Sequence, residues 1–240
     1  MGKTELILFG SKGKIKRYDD YSITSCGQTV TATKSVKYLG LEIDNVLSGE
    51  QMASDIIKKV NSRLKFMYRQ ANFFDQKIKK TLCSALILCL FDYSISSWYG
   101  GVSKTTCKKL QCAQNKVIRF ILSKDSFYHI DEKDFQDLGI LNISNRAKQL
   151  RLNHVFNINH GLGPPYLDYK FTRISQVHDY NTRSSKHNFY THKNNSSNSR
   201  SFYQASIHDW ANLPNSIKEV TDKVNFKKKV KDHLLNNLTL

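Results

Sequence analysis

At Gly49 the hydrophobic pattern of this chain changes period, and that change confines it to a fold that opens in strands and continues in helices. Before it stand short β-branched and aromatic runs: Leu6-Ile7-Leu8-Phe9, Tyr21 to Thr24, Thr29 to Thr31 and Val36 to Ile43. Turn signals at Gly10-Ser11-Lys12-Gly13 and Cys26-Gly27 separate them. After Gly49, Met52, Ile56, Val60, Leu64, Met67 and Ala71 recur at steps of three and four, the spacing of one face of a helix. The expectation is an α+β chain. A small antiparallel sheet occupies residues 1–47 and a mainly helical bundle 48–163; a basic linker follows over 164–200, then a small, partly flexible helical tail over 201–240.

The first helix sets Lys58, Lys65 and Arg69 opposite its apolar face, with Lys59 and Arg63 on the flank. A second, from about Asp75 to Trp98, is apolar nearly all round (Leu82, Ala85, Leu86, Leu88, Leu90, Phe91), which predicts the centre of the bundle, ending at Gly100-Gly101. A third, about Ser103 to Ser123, sets Leu110, Ala113, Val117, Ile118 and Ile121 against Lys108, Lys109, Lys116 and Arg119. Shorter helices are expected over Asp131 to Leu138 and Ser144 to His160, the latter carrying Arg146, Lys148 and Arg151. A break follows at Gly161-Leu162-Gly163-Pro164-Pro165. A solvated amphipathic face accounts for one basic stripe; its repetition on successive helices points to a polyanion.

Charge supports the same partner. The chain holds 37 Lys and Arg against 20 Asp and Glu, a net +17, and phosphate neutralisation by such cations releases condensed counterions. Between Lys170 and Arg200 one acid, Asp179, stands among Lys170, Arg173, Arg183, Lys186, Lys193 and Arg200. The interleaved Phe171, Tyr180, Phe189 and Tyr190 are candidates to stack on unpaired bases, a flexible polar linker being the other reading. Five scattered cysteines without a CxxC pair argue for a reducing, intracellular compartment, nuclear or cytoplasmic, and against a disulfide framework or structural zinc. Met1 to Glu5 lacks the apolar region of a signal peptide, and the run Leu82 to Phe91 falls short of the ~20 residues of a membrane span. No membrane partner is expected.

Constellations that do chemistry are scarce. There is no GxxxxGK[ST] loop, no GxGxxG turn, no HExxH and no GxSxG. His129-Ile130-Asp131 has the spacing of an iron-binding HxD, with His154, His160 or His178 as a third ligand, but Asp131 stands where a helix N-cap belongs. Two-metal phosphoryl transfer needs clustered carboxylates. The adjacent pairs are Asp19-Asp20, which reads as a solvated turn, and Asp131-Glu132. No catalytic residue, metal site or cofactor is expected.

Three stretches together resemble the reverse transcriptases of non-LTR (LINE-type) retrotransposons, of the jockey or CR1 kind. Lys3-Thr4-Glu5-Leu6-Ile7-Leu8-Phe9 is similar to the palm strand after the catalytic turn, and Val36-Lys37-Tyr38-Leu39-Gly40-Leu41-Glu42-Ile43-Asp44 to the turn that grips the primer end. Leu88 to Trp98, with Phe91-Asp92-Tyr93 and Ser97-Trp98, is similar to the thumb helix. Tyr180-Asn181-Thr182-Arg183, Ser201-Phe202, Trp210-Ala211-Asn212-Leu213-Pro214 and Phe226-Lys227 resemble the family's tail in the same order. One departure is Asp209, where the family more often has an apolar residue before the Trp.

The resemblance implies residual palm strands over 1–47, a thumb-like bundle over 48–163 and a tail at 201–240. The paired aspartates that hold Mg²⁺ in a complete polymerase would lie before Met1, so the chain would hold RNA or DNA without polymerising, with the missing palm and fingers as a possible partner. Tyr38, Leu39 and Gly40 would seat a primer terminus and Lys3 would stand near the incoming nucleotide. Lys58, Lys65, Arg69, Lys108, Lys116, Arg119 and Arg183 would contact nucleic acid. The competing expectation is a helical interaction module, inert or co-opted, with no nucleic-acid role.

Overall fold

The structure, a computed structural model, describes residues 4–18, 20–25, 27–177, 187–190 and 201–238. Lys3, Arg183, Asp19, Cys26, His178 and Tyr180-Asn181-Thr182 therefore lie outside the described residues.

The chain is α+β, with its strands first. β1 (Leu6–Ile7) leads through a one-turn helix, α1 (Lys12–Ile15), to β2 (Ser22–Ser25), β3 (Gln28–Thr33), β4 (Ser35–Tyr38) and β5 (Leu41–Asp44). β2 and β3 form an antiparallel hairpin, Ser22 facing Thr31 and Ser25 facing Gln28. β1 lies on the other edge of β3 and runs parallel to it, Leu6 beside Ala32. The sheet is therefore mixed rather than wholly antiparallel, because the chain returns along β2, opposite in direction to β1, and the hairpin brings β3 back parallel to β1. Val36 to Ile43, which reads as one run, is two strands folded about Leu39-Gly40, with Tyr38 paired to Leu41. Strand side chains are at best half-buried, so this part stiffens the chain more than it builds core.

A polar joint seats the strands on the helices. The Asp44 carboxylate accepts from the backbone of Val46 (3.2 Å), Ser48 (2.9 Å) and Gly49 (2.9 Å), and from the Ser48 hydroxyl (3.0 Å). Gly49 starts α2 (Glu50–Tyr68) at φ 69°, where a β-carbon would also come within 2.5 Å of the Trp98 carbonyl. At Gly101 the same atom would meet the Leu47 carbonyl at 2.5 Å. Two backbones thus cross where no side chain fits.

The expected second helix is not a central rod. It runs as α3 (Gln76–Cys83), a π-helical segment over Ser84–Leu88 and α4 (Cys89–Asp92), breaks at Ser94 (φ 49°), and resumes as α5 (Ile95–Trp98). One face, Cys83, Ile87, Phe91, Ile95 and Trp98, is buried, while Ile78, Leu86 and Tyr93 on the other are exposed. Gln76–Gly101 is also a stretch that, by length and composition alone, is apolar enough to cross a membrane. The π turn and the left-handed Ser94 bend it, and the buried face packs into the protein core.

α6 (Lys104–Leu122) and α7 (Glu132–Leu138) start where capping side chains allow. Ser103 accepts from Thr106, and Asp131 and Asp134 form a reciprocal capping box, which accounts for Asp131 without a metal. The central helix is α8 (Ile143–Asn159), capped by Asn142, which buries residues on nearly all sides. Asn145, Gln149 and Arg151 on it have partners, while Asn153 Oδ1 and Asn157 Oδ1 are buried without a partner among the described residues. Arg151, expected on a basic surface, is buried and paired with Asp209 (2.6 Å), and Arg146 is held by Asp92 through two contacts of 2.8 and 2.7 Å. Asn145 donates to the Leu234 carbonyl (3.2 Å).

The C-terminal region shares this core. After α9 (Pro165–Asp168) and α10 (Ile174–Val177), Phe171 and Phe189 pack edge to face at 5.4 Å and are buried, so neither is open to stack on a base. α11 (Phe202–Ala211) and α13 (Lys223–Asn236), joined through α12 (Asn215–Lys218), lie against α8. Trp210 and Phe156 each stack on Phe226, at 5.9 and 4.4 Å, and the Trp210 ring nitrogen donates to the His187 carbonyl (2.8 Å). One continuous apolar cluster runs from Met52 to Leu238 across the expected boundaries at 163 and 200.

Candidate nucleic-acid interface

α2 and α6 are neighbours that run the same way. At their N-termini the Glu50 carboxylate accepts from the Ser103 amide (2.7 Å) and the Thr106 hydroxyl (2.5 Å); at their C-termini Tyr68 meets Phe120 edge to face at 4.9 Å. The long α3 to α5 return makes this parallel arrangement possible. Burial works against the Glu50 charge, yet the hydrogen bonds from Thr106 and Ser103 and the field of Lys109 outweigh it and hold the carboxyl below its ordinary value.

Between the two helices lies an open groove of about 610 Å³, lined by Ile57, Asn61, Lys104, Thr105, Lys108, Lys109, Cys112, Ala113 and Lys116. Four of these side chains are ammonium groups and none is an acid. Lys104, Lys108 and Lys116 fall at multiples of four along α6 and so share its outer face. Lys116 reaches across and donates to Asn61 (3.3 Å). On α2, Lys58 precedes Asn61 by three residues and Lys65 follows it by four, so both border the groove, with Arg69 one turn further on. Lys58 stands 3.8 Å from Asp55, an exposed pair that screens it little.

Of the expected contact residues, then, Lys108 and Lys116 line the groove, while Lys58, Lys65 and Arg69 stand beside it on the outward stripe of α2. Arg119 is not with them. It is half-buried, and its Nε donates to the Tyr128 carbonyl (2.7 Å), fixing the loop after α6. Lys3 and Arg183 are outside the described residues. Lys104 and Asn61 join the site unanticipated, together with Lys109, which the basic stripe of the third helix includes without its being named as a contact. The four-residue lysine repeat was available in the sequence, but Asn61 is identified only by the neighbour it faces.

Tyr38, Leu39 and Gly40 form a separate feature. Leu39 (φ 48°) and Gly40 (φ 81°) are both left-handed, the geometry of a tight two-residue hairpin turn. Such a conformation costs an L-residue like leucine about 1 kcal/mol, and this one leaves the Leu39 side chain 77% exposed beside an exposed Tyr38. The Tyr93 hydroxyl donates to the Leu39 carbonyl and fixes the tip. At and just after the C-terminal end of α2, Phe66, Tyr68 and Phe73 are also exposed, Phe73 by 78%. Tyr68, on the same side of α2 as Ile57 and Asn61 and packed on Phe120, brings one aromatic ring toward that end of the groove, whereas Phe66 falls on the far side of the helix.

No protein-family model, no curated protein and no solved structure matches this chain.

Proposed function

We propose that this chain is a nucleic-acid-holding module, the end of the palm, the thumb and the tail of a non-LTR retrotransposon reverse transcriptase, gripping a template or primer strand without supplying catalytic carboxylates. The observation that carries the reading is the groove whose lining holds Lys104, Lys108, Lys109 and Lys116 of α6 and no acid, opposite Ile57 and Asn61 of α2 and beside the stripe of Lys58, Lys65 and Arg69. Lys104 to Lys116 spans about 18 Å at ~1.5 Å per residue, the axial length of about five steps of a stacked helical strand at ~3.4 Å each. The exposed Tyr68, on the groove side of α2, suits an unpaired base at one end. The hairpin tip of Tyr38, Leu39 and Gly40 is the proposed seat of a primer end. Mg²⁺ would enter only with a complete palm.

Filter binding of single-stranded RNA and of a primed template across a salt series tests this. Affinity is expected to fall steeply with salt, at a log–log slope of about −0.7 to −0.9 per phosphate neutralised. The triple variant K58A/K65A/R69A should weaken binding on all sequences alike. Lack of binding at low salt removes the proposal.

A second reading, an interaction module with no nucleic-acid role, draws on one observation. The outward face of α3 to α5 exposes Ile78, Leu86 and Tyr93 beside the apolar hairpin tip. Retention of partner binding by L86E/I78E would argue against it.

A further inference from the structure

A second cavity, about 270 Å³, lies between α4, the turn from α7 to α8, α8 itself and α13. Its lining includes Ser84, Asp92, Gln114, Arg146, Gln149 and Lys231, and no residue lines both it and the lysine groove. Ala113 faces the groove and Gln114 the cavity, so the two open from different sides of α6.

Its polar groups are unevenly matched. Asp92 is the one acid in the lining, and its two oxygens are taken by Arg146 Nε and Nη2. Arg146 Nη1 donates to Gln149 (2.6 Å), so the guanidinium is locked in place while two of its five donors remain unused. Lys231 is half-buried beside it, and its ammonium, with three donors, makes no hydrogen bond and no ion pair with the described residues. Burial, then repulsion from Lys80 and Arg146, pulls the Lys231 ammonium below its ordinary value, with Asp232 opposing weakly. The C-terminus of α7, where Gly139 closes the helix near the Lys231 ammonium, accounts for one cation there. With Arg146 held by Asp92, both Lys80 and Lys231 are left to that single terminus.

We propose that this cavity binds a small tetrahedral oxyanion, a phosphate group, held by Lys231 and the free donors of Arg146. An anion here would replace repulsion among Lys80, Arg146 and Lys231 with charge-assisted hydrogen bonds. The volume is below the ~300–1,000 Å³ of pockets that hold drug-sized ligands, so the site takes a phosphate rather than a whole nucleotide. The group comes either from inorganic phosphate or from the end of a nucleic-acid strand. The site is independent of the groove and does not rest on the reading above.

The full chain is titrated with inorganic phosphate against chloride at constant ionic strength, and unfolding is followed by thermal melting. Phosphate at 100 times its Kd should shift the unfolding equilibrium about 100-fold. Lys231→Met should abolish the shift and, with the repulsion gone, melt no lower than the wild type without phosphate. Lys231→Arg should keep the shift, and so should Lys116→Met in the groove. A 5′-phosphorylated trinucleotide that displaces phosphate, where its 5′-hydroxyl counterpart does not, assigns the site to a strand end; displacement by neither assigns it to the free ion. Phosphate acting no differently from chloride, a full shift in Lys231→Met, or loss of the shift in Lys116→Met overturns the proposal.

Discussion

Asp209 and Arg151 provide a sharp test of the packing. Both side chains are 9% exposed, and the Arg151 Nε and Nη2 converge on one Asp209 oxygen at 2.7 and 2.6 Å, tying α11 to α8. Asp209→Ala leaves a guanidinium in the interior without its counter-charge, which costs about 3–5 kcal/mol. For a chain of this size 1 kcal/mol lowers Tm by about 2–4 °C, so the variant should melt roughly 6–20 °C below wild type. Arg151→Met strands the carboxylate and should cost a similar amount. The double variant R151M/D209L buries no charge and restores the apolar residue before Trp210 that the resembled family favours. It should return to within about 1 kcal/mol of wild type, since well-packed apolar replacements of buried pairs are often neutral. Urea unfolding followed by circular dichroism and tryptophan fluorescence, applied to wild type, Arg151→Met, Asp209→Leu and the double variant, gives the four corners of the cycle. A cost below about 1 kcal/mol for Asp209→Ala, or single costs that simply add in the double variant, would refute a buried, mutually dependent pair.

Three further outcomes follow from the same coordinates. Gly101→Ala should destabilise by more than the usual surface change of about 0.5 kcal/mol, because its β-carbon would sit 2.5 Å from the Leu47 carbonyl and 2.8 Å from that of Ser48; a wild-type melting curve would contradict the crossing. Burial pushes the Cys83 thiol up to about 12. In a Cys26→Ser background at pH 8, exposed Cys89 and Cys112 should therefore react with a thiol reagent at once and Cys83 only on unfolding. The linkage has a sign: above the ordinary thiol value the unfolded chain loses a proton that folded Cys83 keeps, so Cys83 subtracts stability as pH rises toward 12, and Cys83→Ala should flatten that part of the stability curve. Arg119→Ala should loosen the loop at Tyr128, seen as faster amide exchange there, while leaving nucleic-acid affinity within twofold of wild type; a loss as large as that of Lys108→Ala would return Arg119 to the interface.

Much of the fold is legible in the sequence because local rules and tertiary packing agree there. The four-residue apolar steps of α2, the Ser103 cap and the left-handed Ser123 at the two ends of α6, and the Asp131 cap all lie where periodicity and capping put them. α8 is the opposite case. Its buried Asn145, Gln149 and Arg151 break the apolar period, and their partners at Leu234, Lys227 and Asp209 are remote in sequence, so a core helix looks like a basic surface helix. The apolar α3 to α5 stretch misleads in the other direction, since composition cannot say that one of its faces stays uncovered. Phe171 and Phe189 read as base-stacking residues because no local pattern reveals that each buries the other. At the groove, the cations on each helix are visible as stripes, but the parallel docking that joins them depends on Glu50 and Tyr68 finding partners in α6.

Lysine footprinting is the most direct test of whether the α2–α6 groove grips a phosphate backbone. The chain is acetylated briefly with and without single-stranded RNA, and each lysine is quantified by mass spectrometry. The account predicts that Lys58, Lys65, Lys104, Lys108, Lys109 and Lys116 slow together on RNA addition, while the exposed Lys12, Lys14, Lys223 and Lys228 keep their rates. Protection spread evenly over both sets, or confined to the second, contradicts it.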